Sequence, residues 1–344
     1  AGRHCWFAPP SQPDGTLLMY KQPRGMLRFD YQISEDEVES ASKPEEVFKL
    51  VQKHLDMQGI KEPWEPVWLS LYRASALTLD NYRHGRVLFC GDAAHLVPIF
   101  GVRGMNSAIE DAHNLAWKLA LVIEGRCDVS LLDSYSQERI FAAEANHRYA
   151  SRGAEFMAPP SKPHALMRDA VLTLAPGHDQ LRDLVIPRQH TATVLSDSPL
   201  TVPDAAGAFQ GGPPPGGVLP ECRVRVHAAS GSFDGFLTDV LGHRFDAFYF
   251  SDVGEAPSSI RDACGQAAEL VPFALHVAAR KPPAGPTNDY VEDSTGRLFQ
   301  NFDAEPGTLY IVRPDGHIMG RWRHAAASDI LAAVRRLPLM RKAA

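Results

Sequence analysis

An α/β fold is predicted by three features of this chain. Residues 86–106 read as a short apolar run, a glycine-rich turn and the start of a helix. Strand-like and helix-like segments alternate again over the last ~125 residues, a comfortable size for a further small domain. Between them, 196–217 is rich in Pro and Gly and marks a boundary.

Taken in order, Leu17–Tyr20 and Met26–Ile33 read as two short strands. In the second, Arg28, Asp30 and Gln32 alternate with Phe29, Tyr31 and Ile33, the period of a half-buried sheet. Glu35 to Met57 is acidic and then amphipathic, with Pro44 suited to the first turn of a helix that carries Val47, Phe48, Leu50, Val51 and Leu55. Trp64, Trp68, Leu69, Leu71 and Tyr72 predict an aromatic strand, with sheet core as the plainer role and the wall of a pocket for a ring as the alternative.

The most informative stretch is Arg86-Val-Leu-Phe-Cys-Gly-Asp-Ala-Ala-His95, followed by Leu-Val-Pro98-Ile-Phe-Gly101-Val-Arg103-Gly104-Met105-Asn106. Val87, Leu88 and Phe89 predict a buried strand that delivers Asp92 at its C-terminal end, the edge where ligands of open α/β sheets collect. Gly101 and Gly104 let backbone approach a flat ligand, and Asn106 or Ser107 is expected to cap the next helix, with Glu110 closing a capping box. Such a helix aims N–H groups and partial positive charge over the turn. Ile109, Ala112, Leu115, Ala116, Leu119, Val122 and Ile123 recur at helical spacing and mark its expected core face, with Gly125 as the stop. His95 is read as structural, Trp117 as core, and Arg103 as either solvated or a ligand contact.

A second long helix is expected from Ser130 to Arg152, ended by Gly153, and a third from His164 to Leu174. The stretch 196–217, including Gly211-Gly-Pro-Pro-Pro-Gly-Gly217, buries too little to form a core and reads as an exposed linker. In 218–344, Phe245–Phe250 and Phe273–Val277 read as strands with Ile260–Leu270 as the helix between them. Thr308–Arg313, the turn Pro314-Asp315-Gly316 and His317–Trp322 form a hairpin, and Ile330–Leu337 a final helix.

Bulk properties narrow the function classes. With 344 residues, a net charge of −6 and pI ≈ 6.2, the chain lacks the basic stripe that phosphate binding requires, so nucleic acid is not expected as a partner. Five scattered cysteines, Cys5, Cys90, Cys127, Cys222 and Cys264, form no disulfide framework and no CxxC pair, which fits a reducing, cytoplasmic compartment. No apolar run approaches the ~20 residues of a membrane span, and no metal site is assigned.

At Gly91-Asp92-Ala93-Ala94-His95, Pro98, Gly101, Gly104-Met105-Asn106, Asp111, Asn114-Leu115 and Trp117-Lys118-Leu119 the chain resembles the flavoprotein aromatic hydroxylases. These are single-component FAD monooxygenases of the phenol, hydroxybenzoate and 3-(3-hydroxyphenyl)propionate hydroxylase type. The resemblance implies FAD as cofactor, NADPH or NADH as transient reductant, O2 and an aromatic substrate as partners, and oxygen transfer to the ring through a flavin C4a-hydroperoxide. It assigns Asp92 to a ribityl hydroxyl, Pro98 to the isoalloxazine ring, and the backbone of Gly104, Met105 and Asn106 to the pyrimidine edge, and it counts Gly91 and Gly101 among the cofactor-binding residues. In the family an arginine and an alanine stand where this chain has Leu77 and Leu79. No catalytic base is assigned.

The resemblance also sets the expected architecture: the C-terminal part of a glutathione-reductase-like FAD-binding fold. Residues 1–72 would be a partial substrate-binding sheet and helix, 73–195 the end of the FAD-binding domain, 196–217 the linker, and 218–344 a thioredoxin-like domain able to form a homodimer. The family's opening GxGxxG unit does not occur in the sequence, so the chain is expected to be part of a longer hydroxylase. Two alternatives stay open at this point. One keeps FAD but makes the enzyme an epoxidase, a Baeyer–Villiger-type oxygenase or a reductase on a polycyclic substrate. The other is a non-enzymatic dimerisation module.

Overall fold

A computed structural model describes residues 2–12, 15–99, 101–185, 191–228, 231–281 and 290–340. The protein is α/β and divides into two compact units, one of residues 1–76, 97–103 and 147–189, the other of 77–96, 104–146 and 190–344.

In the first unit, β1 (Arg3–Phe7), β2 (Thr16–Lys21) and β3 (Leu27–Tyr31) form an antiparallel sheet in that order. A short helix, α1 (Val38–Ala41), precedes α2 (Pro44–Met57), which opens on the expected proline and buries Val51, His54 and Leu55. Residues 64–72 are not the expected strand. Val67 and Trp68 are nearly four-fifths exposed, and the segment makes no strand pairing among the described residues. Pro63 and Pro66 supply no N–H to a ladder, which explains why strand-prone aromatics fail to pair here.

The second unit begins with four two-residue strands, β4 (Leu77–Thr78), β5 (Arg83–His84), β6 (Val87–Leu88) and β7 (His95–Leu96), paired β4 to β7 and β5 to β6. The expected buried strand is therefore a two-residue ladder, and Val87 is more than half exposed. Three long helices follow in the chain: α3 (Arg103–Ile123), α4 (Leu131–Met157) and α5 (Lys162–Leu174), then the shorter α6 (Asp179–Val185). Helix α3 starts at Arg103, so Asn106 and Ser107 lie inside its first turns and do not cap it, and Glu110 accepts a bond from Arg139. Helix α4 runs through Gly153 to Met157.

The apolar spacing of α3 misassigns its core face. Ile109 and Ile123 are 59% and 75% exposed, while Ser107, Asp111, Asn114, Trp117, Lys118 and Leu121 are buried. This inversion is possible because each buried charge on that face meets an opposite charge and is hydrogen-bonded, as buried charges must be.

The C-terminal part carries a seven-stranded sheet in the order β14-β13-β10-β11-β12-β8-β9. Its strands are β8 (Arg223–Ala228), β9 (Gly231–Phe236), β10 (Phe245–Ser251), β11 (Phe273–Ala279), β12 (Tyr290–Glu292), β13 (Leu309–Val312) and β14 (Ile318–Trp322). Helix α7 (Ser258–Leu270) connects the parallel pair β10 and β11, a short α8 (Arg297–Asn301) precedes β13, and α9 (Ala327–Val334) follows the β13–β14 hairpin. The strands β10 and β11, the helix α7 between them, the β13–β14 hairpin and α9 are the elements anticipated from the sequence, whereas β12 and α8 are not. Nor is the β8–β9 hairpin, although Arg223 and Arg225 outside and Val224 and Val226 inside give it a clear period of two.

The stretch 196–217 is not an exposed linker. Its main chain runs along β14, with Val202 N–H donating to Met319 O and Gly216 N–H to Ile318 O, both at 2.7 Å. Leu200 enters the core, Asp204 pairs with Arg321 at 2.7 Å, and Arg321 and Arg323 each lie 4.1 Å from the Phe209 ring centre. A segment with few large apolar residues thus packs by borrowing a strand edge and two cation–π contacts.

Candidate functional site

The Gly91-Asp92 turn is built from β6 and α3. After Leu88, the chain makes a 3₁₀ turn over Gly91–Ala93, closed by Ala94 N–H to Gly91 O at 2.8 Å. Gly91 has φ +60, and a Cβ there would stand 3.1 Å from the Ala108 Cβ, so the turn lies directly against the early turns of α3. Tyr82, Ala94 and Tyr135 form a small core beneath it.

A buried carboxylate holds this turn. Asp111 Oδ2 accepts from Gly91 N–H at 3.0 Å and from His95 Nε2 at 2.7 Å, and Oδ1 accepts from Arg139 Nε at 2.6 Å. Burial pushes the Asp111 carboxyl up, but the His95 bond and the Arg139 charge outweigh it and hold the group below its ordinary value. Arg139 also donates to Glu110 at 3.0 Å and, more weakly, to the Ser107 carbonyl at 3.4 Å. His95 is therefore part of the turn's support, the structural role expected of it.

Beside Arg139 on α4, Glu138 centres a second network. Arg313 binds it with both terminal nitrogens, at 2.7 and 2.9 Å, and Lys118 at 2.7 Å. Burial pushes Glu138 up, yet the Arg313 and Lys118 charges hold it well below the carboxylate range. Burial lowers Lys118 to about 8. Glu138 is thus the firmly ionised member, and Lys118 loses its charge first as pH rises.

Of the residues expected to hold a cofactor, Asp92 is exposed at the turn and Met105 is 68% exposed on the first turn of α3. Among the described residues outside its own helix backbone, no atom lies within 4 Å of a Cβ added at Gly104. Pro98 and Gly101 belong to the first unit, where both are buried. Tyr72 is exposed on the first unit. Trp117 sits in the core, edge-on to Phe245 at 5.5 Å. Among the described residues, no cluster of three or more His, Cys, Asp or Glu could hold a metal, and no helix is long and apolar enough to cross a membrane. Sequence spacing had included Asp111 and Lys118 in its motif but gave them no role. Glu138, Arg139, Arg313 and Asp315 carried no local signal.

Residues 3–150 match the family described as FAD binding domain. Across 336 residues the chain is 29% identical to a 3-(3-hydroxy-phenyl)propionate/3-hydroxycinnamic acid hydroxylase of Mycolicibacterium smegmatis, covering 91% of this chain and 55% of that protein. It is 36% identical over 151 residues to the Klebsiella pneumoniae protein of the same description, covering 43% of this chain and 26% of that one. Among solved structures, aklavinone-11 hydroxylase with FAD and aklavinone superposes with a TM-score of 0.68 at 22% identity, covering 94% of this chain and 57% of that one. The flavin-dependent monooxygenase PieE, in complex with FAD and substrate, gives 0.67 at 21% identity, covering 94% and 60%. The chain therefore shares the fold of the matched part of these two flavin-dependent enzymes. The chain spans little more than half the length of the first of these relatives.

Proposed function

We propose that the protein is an FAD-dependent monooxygenase that hydroxylates a phenolic or other aromatic small molecule, with NAD(P)H as reductant and O2 as oxidant. The observation that carries this reading is the packing of the Gly91-Asp92 turn on α3, which leaves Asp92 and Met105 exposed and, among the described residues outside the helix backbone, no atom within 4 Å of a Cβ added at Gly104. An anionic acceptor beside a helix N-terminus fits a flavin, whose ribityl chain carries hydroxyl donors and whose pyrimidine edge becomes negative on reduction. Asp92 would accept from a ribityl hydroxyl. The backbone N–H groups of Gly104, Met105 and Asn106 would face the pyrimidine edge, where a helix N-terminus stabilises negative charge by roughly 0.3–2 kcal/mol. Pro98 and Gly101 enter only through the spacing of the motif.

When bound, FAD supplies electron transfer from NAD(P)H and activation of O2. The chain's own residues bind the cofactor, orient it and set the charge around it. The names of the relatives support a phenol bearing a short acid side chain as substrate. The C-terminal sheet, with helix-linked parallel β10 and β11 and the closing hairpin and helix, supports a thioredoxin-like domain of structural or dimer-forming use. Burial raises the Cys222 thiol to about 11 and the Cys264 thiol to about 12, which opposes a thiolate redox role. Free, scattered cysteines support a cytoplasmic location.

Two variants of the full-length protein test this reading. Asp92→Ala should weaken FAD binding by about 1–3 kcal/mol, the penalty of an unpaired polar group. Gly104→Val should fold normally, since its Cβ meets no atom of the described residues outside the helix backbone, yet lose flavin or uncouple NAD(P)H consumption from hydroxylation. Unchanged flavin affinity and coupling in both would remove the assignment.

A further inference from the structure

We propose that Arg313 and Asp315, in the turn of the C-terminal β13–β14 hairpin, are positioning residues for the flavin, acting through α3 and α4 on the Gly91-Asp92 turn; this rests on the flavin reading above. The hairpin turn projects its charges into the helix pair. Arg313 binds Glu138 of α4 with both terminal nitrogens and Asp315 at 2.6 Å. Asp315 Oδ2 in turn accepts from Asn114 Nδ2 and from Trp117 Nε1 of α3, both at 3.0 Å. Asn114 and Lys118 also donate to Glu138, each at 2.7 Å. Ser198, from the stretch packed along β14, adds a bond to the same carboxylate.

These contacts join the support of the candidate flavin site without a break. Glu138 is followed by Arg139, which binds Asp111, and Asp111 binds the Gly91 N–H and His95. The path from the hairpin to the Gly91-Asp92 turn thus runs through the buried side chains of Arg313, Asp315, Glu138, Arg139 and Asp111, with the α4 main chain joining Glu138 to Arg139. Helix α3 is continuous from Arg103 to Ile123, so Asn114, held by Asp315, lies on the same rigid rod as Asn106, about 12 Å along the axis. A bidentate guanidinium pair fixes orientation as well as charge. Binding sites need their supports held to within roughly 0.5 Å, and a network of this kind can do so from a distance.

The contacts also explain why the hairpin turn carries charges whose use extends beyond its own domain, where Asp315 accepts from the His317 N–H at 3.3 Å. Pro314-Asp315-Gly316 closes an ordinary β-turn, for which neither a buried Arg313 nor a buried Asp315 is needed. Apart from His317 of the same hairpin, their partners outside the turn stand on α3 and α4.

The test uses full-length protein and four variants: Asp315→Asn, Arg313→Lys, Arg313→Met and, as a control in the core of the same C-terminal domain, Ile330→Val. For each, melting temperature, FAD dissociation constant, and absorbance spectrum and reduction potential of the bound flavin are measured. Asp315→Asn and Arg313→Met should weaken FAD roughly ten-fold, a typical coupling between distant sites, and shift the flavin potential. Arg313→Lys should restore part of the affinity lost in Arg313→Met. Ile330→Val should lower the melting temperature with FAD affinity and potential unchanged. If Arg313→Met does not fold, Asp315→Asn and Arg313→Lys decide the matter. FAD affinity and potential in those two equal to wild type, or altered no more than in the control, would overturn the proposal while leaving the flavin reading intact. A full-length wild-type protein that binds no FAD would overturn both.

Discussion

His54 in the first unit and His95 in the second are equally buried, at 0% and 2% exposure, yet they are buried by opposite means. His54 lies edge-on to Trp6 at 4.7 Å and to Phe29 at 5.6 Å, and neither of its ring nitrogens has a hydrogen-bond partner among the described residues. His95 donates to a carboxylate that an arginine and a backbone N–H also hold. The first is a polar ring used as packing, and its unmet bonds cost stability. The second belongs to a charged network that fixes the geometry of one turn, although its Nδ1 has no hydrogen-bond partner among the described residues. Burial alone therefore says little about what a polar residue does, whereas its bonding does.

The largest expected effect tests the network. Arg139→Met leaves Asp111 buried without its cation and should destabilise the second unit by about 3–5 kcal/mol. Urea unfolding followed through the tryptophan signal of Trp117 would measure it. A loss below about 1 kcal/mol would mean that the two histidine sites differ less than their contacts indicate.

The opposite sign is expected at His54. His54→Phe keeps an aromatic ring against Trp6 and Phe29 while deleting two unpaired nitrogens, and should stabilise the protein by about 1–3 kcal/mol at neutral pH. Burial lowers the His54 pKa by disfavouring its charged form. Between that lowered value and about 6.5 the unfolded chain therefore binds more protons than the folded one, so stability falls as the pH drops through this range. His54→Phe should flatten that acid-side loss. An unaltered slope of stability against pH between 6.5 and 5 would show that His54 is not what the first unit loses in acid.

How much of this was legible in the sequence depends on the range of the interaction. The α/β class, the Gly91-Asp92 turn, α2 with its Pro44 and the β13–β14 hairpin all follow from spacing within a few residues. The buried face of α3 does not. Its apolar positions give a clear helical period, but the buried face is the one whose polar groups find partners far away, as Asn114 and Trp117 do on Asp315 and Lys118 does on Glu138. Periodicity assumes that polar residues face water, and a closed ionic network breaks that assumption. Composition misread 196–217 for a related reason, since a Pro/Gly stretch without a core of its own can still be held by the edge of β14.

The smallest expected effect probes the backbone member of the Asp111 network. Gly91 has φ +60, a conformation that costs a side-chain-bearing residue about 1–2 kcal/mol, and its added Cβ would also stand 3.1 Å from the Ala108 Cβ. Gly91→Ala should therefore lose about 1–2 kcal/mol, well under the loss from Arg139→Met, because the charged contacts among Asp111, His95 and Arg139 survive it. The two causes can be separated by a second change. Ala108→Gly removes the facing methyl but leaves φ as it is, so if the close approach matters, the double variant should recover part of the loss beyond what Ala108→Gly costs alone. If the losses simply add, conformation accounts for the whole effect. Flavin affinity measured on the same variants then shows whether the turn tolerates the shift that a methyl forces on it, since Asp92 is the next residue along the chain.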